Sequence, residues 1–346
     1  SPEIINDGNG GAIITWYDQR DGSSEDDIYA QKIDANGAIQ WKENGTVICN
    51  ASNEQYSPEI INDGNGGAII TWYDNRSGNY DIFAQKINAI GTVQWNENGM
   101  IICNAIGNQY SPQIIRDNSG GIIFAWRDLR NGNQDIYSQK IDSTGNIQWA
   151  GNGTEICSAE NYQNGPRLVS DGDGGAIITW NDNRLNKRDI YGQKIDSAGM
   201  VQWEGNGTVI CNTIGIQKNP NIISDGDDGA IIAWSDERNG TDRDDIYAQR
   251  IDSSGTTKWE DNGIVICNAS DSQENPKIVR VNNGKAIVTW KDKRDDMGDI
   301  YAKLITFETK ATNGGEIPGY NPIILGPISI ITLFIAGVYW KKRNQR

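Results

Sequence analysis

A short pattern of chemically active residues, Trp-x-Asp-x-Arg, occurs six times in this sequence. Arginine binds a carboxylate through two parallel hydrogen bonds, so the six pairs have two interpretations. They form a ring that grips an anionic or sugar ligand, or a structural network that holds the loop after each tryptophan. An active site needs unlike groups in unlike environments, so six like copies favour the structural network. Its members are Trp16, Asp18, Arg20, Trp72, Asp74, Arg76, Trp126, Asp128, Arg130, Trp180, Asp182, Arg184, Trp234, Asp236, Arg238, Trp290, Asp292 and Arg294.

The chain contains no histidine, which removes the commonest general base near neutral pH. Ser-His-Asp and Cys-His catalysis and ordinary zinc sites are therefore excluded. The formal net charge of −15 predicts no nucleic-acid partner, because an acidic surface repels phosphate. One cysteine follows each of the first five tryptophan motifs, and equivalent positions on separate units are too far apart for a disulfide. We expect free, buried thiols at Cys49, Cys103, Cys157, Cys211 and Cys267.

The spacing of the motif identifies a tandem array, because the six tryptophans follow one another at intervals of 54 or 56 residues. Within the second repeat, short β-branched segments are separated by Gly/Asn turns, which is typical of strands. The predicted strands cover 58–61, 67–74, 81–87, and 92–95 resuming at 100–103. Four antiparallel strands at this period describe a propeller blade. The sequence therefore predicts an all-β, six-bladed β-propeller of four-stranded antiparallel blades.

The predicted propeller covers residues 1–310, with repeats at about 1–56, 57–110, 111–164, 165–218, 219–274 and 275–310. The last repeat lacks the segment with the second tryptophan and the cysteine, so we expect its blade to lack a fourth strand. Propeller rings are commonly closed by a strand from the other terminus. We expect residues upstream of Ser1 to supply that strand.

The C-terminal end predicts a membrane anchor. A linker at 311–322 precedes 18 uncharged residues at 323–340, long enough for a transmembrane helix, and a basic tail follows at 341–346. The basic tail places the C-terminus in the cytoplasm and the propeller outside the cell. Pro318-Gly319-Tyr320, the apolar stretch and the basic end resemble archaeal sorting tails built on Pro-Gly-Phe. That resemblance implies anchoring at a cell surface.

A further turn recurs in five repeats and begins as Asp34-Ala35-Asn36-Gly37, with Trp41 four residues later. It resembles the Asp-box turns of sialidase-type propellers and the Trp-ending hairpins of quinoprotein-type propellers. The sialidase resemblance implies a six-bladed fold and allows a glycan hydrolase. The Phe/Tyr-Arg-Ile-Pro segment of sialidases is missing from the sequence. We therefore predict that the chain is not an enzyme, with a sialidase-like glycan hydrolase as the alternative.

Two repeats depart from the common loop length after the motif arginine, where six residues replace four. Function tends to reside in loops that a rigid scaffold carries, so these tips are the candidate binding residues. They are Asp21, Ser24, Glu25, Asp26, Asn239, Thr241, Asp242, Arg243 and Asp244.

Acidic glycine-rich turns in the fourth and fifth repeats resemble pieces of calcium loops, although hairpin turns explain them equally simply. Their carboxylates are Asp171, Asp173, Asp225 and Asp227. We predict no cofactor, with calcium as the alternative. The leading prediction for function is a membrane-anchored extracellular module that binds a surface glycan or protein, or a structural protein of the cell envelope.

Overall fold

The computed structural model describes residues 2–20, 25–240, 243–282, 284–295 and 298–308. Within these ranges the chain forms 23 β-strands and no helix. The strands make six antiparallel sheets in chain order, five with four strands and the last with three. We call each sheet a blade and number the blades along the chain. The all-β prediction is confirmed, and six such sheets are consistent with a six-bladed propeller.

The strands have similar bounds in every blade. Blades one to three comprise β1 (Glu3–Asn6), β2 (Ala12–Asp18), β3 (Asp27–Ile33), β4 (Thr46–Cys49), β5 (Gln55–Asn62), β6 (Ala68–Asp74), β7 (Asp81–Ile87), β8 (Met100–Cys103), β9 (Gln109–Arg116), β10 (Ile122–Asp128), β11 (Asp135–Ile141) and β12 (Thr154–Cys157). Blades four to six comprise β13 (Gln163–Ser170), β14 (Ala176–Asp182), β15 (Asp189–Ile195), β16 (Thr208–Cys211), β17 (Gln217–Ser224), β18 (Ala230–Asp236), β19 (Asp245–Ile251), β20 (Ile264–Cys267), β21 (Gln273–Asn282), β22 (Lys285–Asp292) and β23 (Asp299–Thr306).

The turn between the first two strands of a blade is held by one carboxylate. In blade two, Asp63 Oδ1 accepts hydrogen bonds from the backbone N–H groups of Asn65 and Gly67, both at 2.8 Å. Gly64 and Gly66 have φ near 81°, a conformation that glycine adopts without steric cost. The Asp-Gly-Asn-Gly sequence thus determines the hairpin locally.

Consecutive blades pack face to face through apolar side chains. Ile13 and Ile28 of blade one lie in the same buried cluster as Ile70 and Trp72 of blade two. Four further clusters of this kind join blades two to six in pairs. The core is therefore a series of interfaces between sheets, and each blade buries both of its faces only when it has a neighbour on each side.

The outer turn that resembles an Asp box fastens one blade to the next. Trp41 Nε1 donates a 3.1 Å hydrogen bond to the carbonyl of Ala89 in the corresponding turn of blade two. A Cβ on Gly91 would lie 2.8 Å from the Trp41 ring, so only glycine fits beneath the indole. The turn therefore acts in docking between blades.

Blades one and six leave exposed the apolar faces that are buried at the other interfaces. Ile4 is 65% exposed, whereas the equivalent Ile60 is 7% exposed. Ile300 in blade six is 67% exposed, whereas the equivalent Ile246 is fully buried. Within the described residues, the sheet faces of blades one and six therefore do not cover each other as consecutive blades do.

This difference gives a matched pair of variants. We expect Ile60→Ala to lower the free energy of unfolding by about 2–4 kcal/mol, because it removes buried methyl groups and leaves a cavity. Ile4→Ala should change it by less than about 0.5 kcal/mol, because the side chain is already in water. Denaturant unfolding of both variants measures the difference. Equal losses would show that blade one buries this face after all.

The predicted linker at 311–322, the transmembrane helix at 323–340 and the tail at 341–346 lie outside the described residues. Across the part of the chain that is described, no helix has the length and apolarity needed to cross a membrane. Anchoring at the C-terminus stays a prediction.

Candidate functional site

The first strands of all six blades line one cavity of about 310 Å³. Each strand contributes the residue that follows the proline of its repeat. These equivalent residues are unlike one another: two acids, two amides and two bases. We call them the polar ring, and its members are Glu3, Glu59, Gln113, Arg167, Asn221 and Lys277.

Strand register places the ring residues at one level. Glu3 lies opposite Thr15 in blade one, and Glu59 lies opposite Thr71 in blade two, which is the same position of the repeat. The next residue, Ile60, is buried in the cluster shared with the preceding blade. Alternation along the strand therefore separates the polar lining from the apolar core.

Blades two, three and four join their ring residues by hydrogen bonds. Gln113 Nε2 donates to Glu59 Oε1 at 2.8 Å. Gln113 Oε1 accepts from the Arg167 guanidinium. The amide of Gln113 therefore sits between a carboxylate and a cation and holds both in place.

The pKa of Glu59 is raised above its ordinary value. Burial is the main cause, since it disfavours the charged carboxylate, and the nearby charge of Glu3 acts in the same direction. The hydrogen bond from Gln113 and the positive charges of Arg167 and Lys277 oppose this shift. A carboxyl with a raised pKa can hold a proton and donate it, which is the property of a general acid.

The sequence carries a signal for this ring that lies outside the repeated motifs. The residue after the repeat proline is different in almost every repeat, although the residues that follow it are nearly always apolar and β-branched. In an array of similar repeats, a position that varies while its neighbours stay alike does not have the structural role that the repeats share. A repeated motif consists of shared residues and therefore leaves such a position out.

The Trp-x-Asp-x-Arg residues lie at the interfaces between blades. In blade two, Trp72 Nε1 donates to Asp74 Oδ2 at 2.9 Å, and Arg76 Nε donates to Asp74 Oδ1 at 2.9 Å. Arg76 Nη2 also donates to the carbonyl of Asn98 at 2.8 Å and to Cys49 Sγ of blade one at 3.1 Å. The same aspartate–arginine ion pair is found in all six blades. The motif thus connects a strand end, an outer turn and the preceding blade.

All five cysteines are free, and four are buried. Burial raises the pKa of the Cys49 thiol to about 12. A thiol with so high a pKa is not a nucleophile near neutral pH. Cys49 Sγ approaches Asp74 Oδ2 at 3.6 Å, so these thiols belong to the motif network as well as to the apolar core.

The candidate loop residues fall into two groups. Asp21, Ser24, Thr241 and Asp242 lie outside the described residues. Glu25 accepts the N–H of Asn53 at 2.9 Å, and Asn239 Nδ2 donates to Asp245 at 2.7 Å. The remaining three also contact residues of the scaffold. Arg243 donates to the carbonyl of Ala269 at 2.9 Å, and Asp244 forms an ion pair with Lys218 at 3.1 Å. Asp26 accepts a hydrogen bond from the Gln19 side chain at 3.4 Å. The described loop residues are therefore held against the scaffold.

The candidate calcium ligands form hydrogen bonds and ion pairs at their own hairpin turns. Asp171 Oδ1 accepts the N–H groups of Asp173 and Gly175 at 2.9 and 2.8 Å. Arg250 contacts both Asp225, at 2.7 Å, and Asp227, at 3.1 Å. Among the described residues there is no group of three or more Cys, Asp or Glu side chains placed to hold a metal ion. Calcium binding stays a prediction.

A second set of buried aspartates should make stability depend on pH. Burial raises the pKa of the residue that opens the third strand in blades two to five, Asp81, Asp135, Asp189 and Asp245. A raised folded-state pKa stabilises the fold fully below the ordinary value of about 3.9, and this contribution is lost as the pH rises through the folded-state pKa. We therefore expect the melting temperature to fall as the pH rises from about 5 through the raised folded-state pKa values, and Asp135→Asn to flatten the slope.

Asp142→Asn is the control for this measurement. Hydrogen bonds, chiefly from Thr144, lower the pKa of Asp142, so it is ionised throughout that pH range in both states. A melting temperature that rises with pH, or a slope that Asp135→Asn leaves unchanged, would contradict the assignment.

No protein-family profile matches this chain, and no curated protein sequence matches it. Solved structures do share its fold. A protein of unknown function from Dyadobacter fermentans has 10% identity and a TM-score of 0.53, with 88% of this chain and 94% of that one covered. An ulvan lyase, from a new family of polysaccharide lyase, has 10% identity and a TM-score of 0.55, covering 88% and 78%. A Hadza microbial sialidase has 10% identity and a TM-score of 0.49, and the chain spans 64% of its length.

The prediction that the chain is not an enzyme is wrong. It rested on the six like copies of the Trp-x-Asp-x-Arg motif and on the missing Phe/Tyr-Arg-Ile-Pro segment. The polar ring supplies six unlike side chains around one cavity. The fold itself is one on which a polysaccharide lyase is built.

Proposed function

We propose that this protein is a glycan-active propeller enzyme that cleaves an anionic polysaccharide at the polar ring. The observation that carries the proposal is the convergence of six unlike polar side chains from equivalent positions on one cavity. The likeness in fold to an ulvan lyase, solved with a glucuronate-containing and sulfated ligand, supports an anionic glycan as substrate.

Two carboxyl groups supply the chemistry of hydrolysis. Glu59, whose pKa is raised, protonates the glycosidic oxygen as the bond from that oxygen to the anomeric carbon breaks. Glu3 accepts a proton from the water whose oxygen bonds to the same carbon. The two residues are on adjacent blades and line the same cavity.

The two bases of the ring provide recognition. Arg167 and Lys277 lie on blades four and six and line the same cavity as the two acids of blades one and two. A guanidinium and an ammonium bind the carboxylate or sulfate of a sugar by charge-assisted hydrogen bonds. A glycan that lies across the ring would direct its anionic group towards these two side chains.

A second reaction, β-elimination, is favoured by the same two cations. They would neutralise a uronate carboxylate, so that Glu3 could remove the proton on the adjacent carbon while Glu59 protonates the departing glycosidic oxygen. The bond between that oxygen and its carbon breaks, and a carbon–carbon double bond forms. Only elimination creates this double bond, which absorbs ultraviolet light.

The test is incubation of the protein with ulvan, polygalacturonate, chondroitin sulfate and neutral amylose. We expect new reducing ends from at least one anionic polysaccharide and none from amylose. Ultraviolet absorbance of the products separates elimination from hydrolysis. The absence of products from all three anionic polymers would contradict the proposal.

The setting of the enzyme is proposed from the sequence alone. The uncharged stretch at 323–340 and the basic tail at 341–346 support a single-pass anchor with the blades outside the cell. Recovery of the full chain in the soluble fraction after cell lysis would count against it.

A further inference from the structure

Five half-buried tyrosines gather on blades one to three at the loop end of the strands. The ring centroids of Tyr73 and Tyr80 are 5.2 Å apart, and those of Tyr80 and Tyr110 are also 5.2 Å apart. Tyr56 lies 5.5 Å from Tyr17 and 5.9 Å from Tyr73. We call these five residues the tyrosine cluster. Their rings meet edge to face or at a tilt, which is the arrangement aromatic rings prefer.

The cluster adjoins the acidic half of the polar ring. Tyr56 and Glu59 are on the same strand, β5, and their partners on β6 are Tyr73 and Thr71. The partners Thr71 and Tyr73 are two residues apart on β6, which corresponds to about 6.6 Å. The tyrosine cluster is therefore one step from Glu59 along the strand, towards the loop end.

Tyr17 and Tyr73 pack against the apolar clusters between blades, but the other blades pair their strands without aromatic residues at these positions. The positions equivalent to Tyr17 and Tyr73 are Arg127, Asn181, Ser235 and Lys291 in the other blades. The positions equivalent to Tyr56 and Tyr110 are Asn164, Lys218 and Glu274. The sheets pair in the same register with polar residues there. The aromatic character is thus specific to one side of the cavity.

Polar contacts hold the rings in place. Tyr80 Oη donates to Glu54 Oε2 at 2.8 Å. The guanidinium of Arg127 lies over the Tyr110 ring, with its Cζ 4.7 Å from the centroid. Rings fixed in this way lose little conformational freedom when a ligand packs against them.

We infer that the tyrosine cluster is a sugar-binding subsite that takes the apolar C–H face of a pyranose unit next to the unit cleaved at the polar ring. This inference rests on the proposed function, because it assumes a glycan ligand. A polysaccharide bound in this way runs from the tyrosines on blades one to three, past Glu3 and Glu59, towards the cations of blades four and six.

The test is affinity electrophoresis through gels that contain ulvan, polygalacturonate, chondroitin sulfate or amylose. Glu59→Gln serves as the parent protein, so that the matrix is not degraded during the run. Adding Tyr56→Ala and Tyr110→Ala should weaken the retardation about tenfold. The matched control adds Asn164→Ala and Asn181→Ala, the uncharged residues of blade four at the positions equivalent to Tyr56 and Tyr73, and should leave the retardation unchanged.

Retardation that survives both tyrosine substitutions, or a parent protein that no gel retards, would overturn the subsite. Tyr17→Ala provides a second variant if the double substitution fails to fold, because Tyr17 contacts the cluster only through Tyr56 among the described ring pairs. If the tyrosine substitutions abolish retardation but the wild-type protein cleaves none of the polysaccharides, the subsite is sustained and the enzyme is rejected. If the wild-type protein cleaves a polysaccharide but the tyrosine substitutions leave the retardation unaltered, the enzyme is sustained and the subsite is rejected.

Discussion

Replacing Glu59 by glutamine is expected to lower kcat on the cleaved polysaccharide by roughly 10²–10⁴-fold, because an amide cannot deliver a proton to the glycosidic oxygen. The substitution keeps an oxygen for the hydrogen bond from Gln113 Nε2, so the cavity lining and the melting temperature should be retained. Reducing-end assays at saturating polysaccharide, together with thermal unfolding, measure both effects.

Glu97→Gln in the same blade is the matched control, since this exposed glutamate lies in the outer turn and should leave kcat unchanged. The pH profile gives a second readout. Because Glu59 must carry its proton, wild-type activity should fall as the pH rises through its raised pKa. A Glu59→Gln variant that keeps full activity would exclude Glu59 as the proton donor.

Replacing Asp128 by alanine is expected to lower the free energy of unfolding by about 3–5 kcal/mol, since breaking a buried ion pair leaves its partner charge without compensation. The Asp128 side chain is fully buried and pairs with Arg130 at 2.6 Å. It also accepts the Trp126 indole N–H at 2.8 Å and the backbone N–H of Arg130 at 2.9 Å, so its loss removes an acceptor from three donor groups. Denaturant unfolding measures the change.

Asp18→Ala in blade one is the matched control. Asp18 makes the equivalent contacts with Trp16 and Arg20, but its side chain is 30% exposed because the preceding face is open. Water can replace the missing carboxylate there, so the decrease in the free energy of unfolding should be well under half that of Asp128→Ala. An equal decrease in the free energy of unfolding at the two positions would show that burial between blades does not determine how much the motif stabilises the fold.

Local sequence predicted the strands well where side chains and turns act over a few residues. The prediction of 81–87 matches β7 (Asp81–Ile87), and 100–103 matches β8 (Met100–Cys103). The segment at 92–95 was predicted to begin the fourth strand. In the structure Val93 makes only an isolated bridge to Ile87, because Trp95 turns to dock on blade three. A docking contact between blades overrode the local pattern.

The role of the repeated motif depended on contacts that no single repeat contains. Arg76 was predicted to hold the loop of its own blade, and it does bind Asp74. It also reaches Cys49, 27 residues earlier and in the preceding blade. Residue types predicted the ion pair, but the packing of two blades decided that it lies at an interface.

The sequence by itself determined the six repeats, their hairpins and the Asp–Arg pairs, since each depends on residues close together in the chain. Tertiary structure alone decided where function resides. Glu59, Gln113 and Arg167 are 54 residues apart in sequence, and they touch only because the first strand of every blade faces the same cavity. A repeat pattern reveals what the blades share. The groups in which they differ become a site only when the blades are assembled around a common centre.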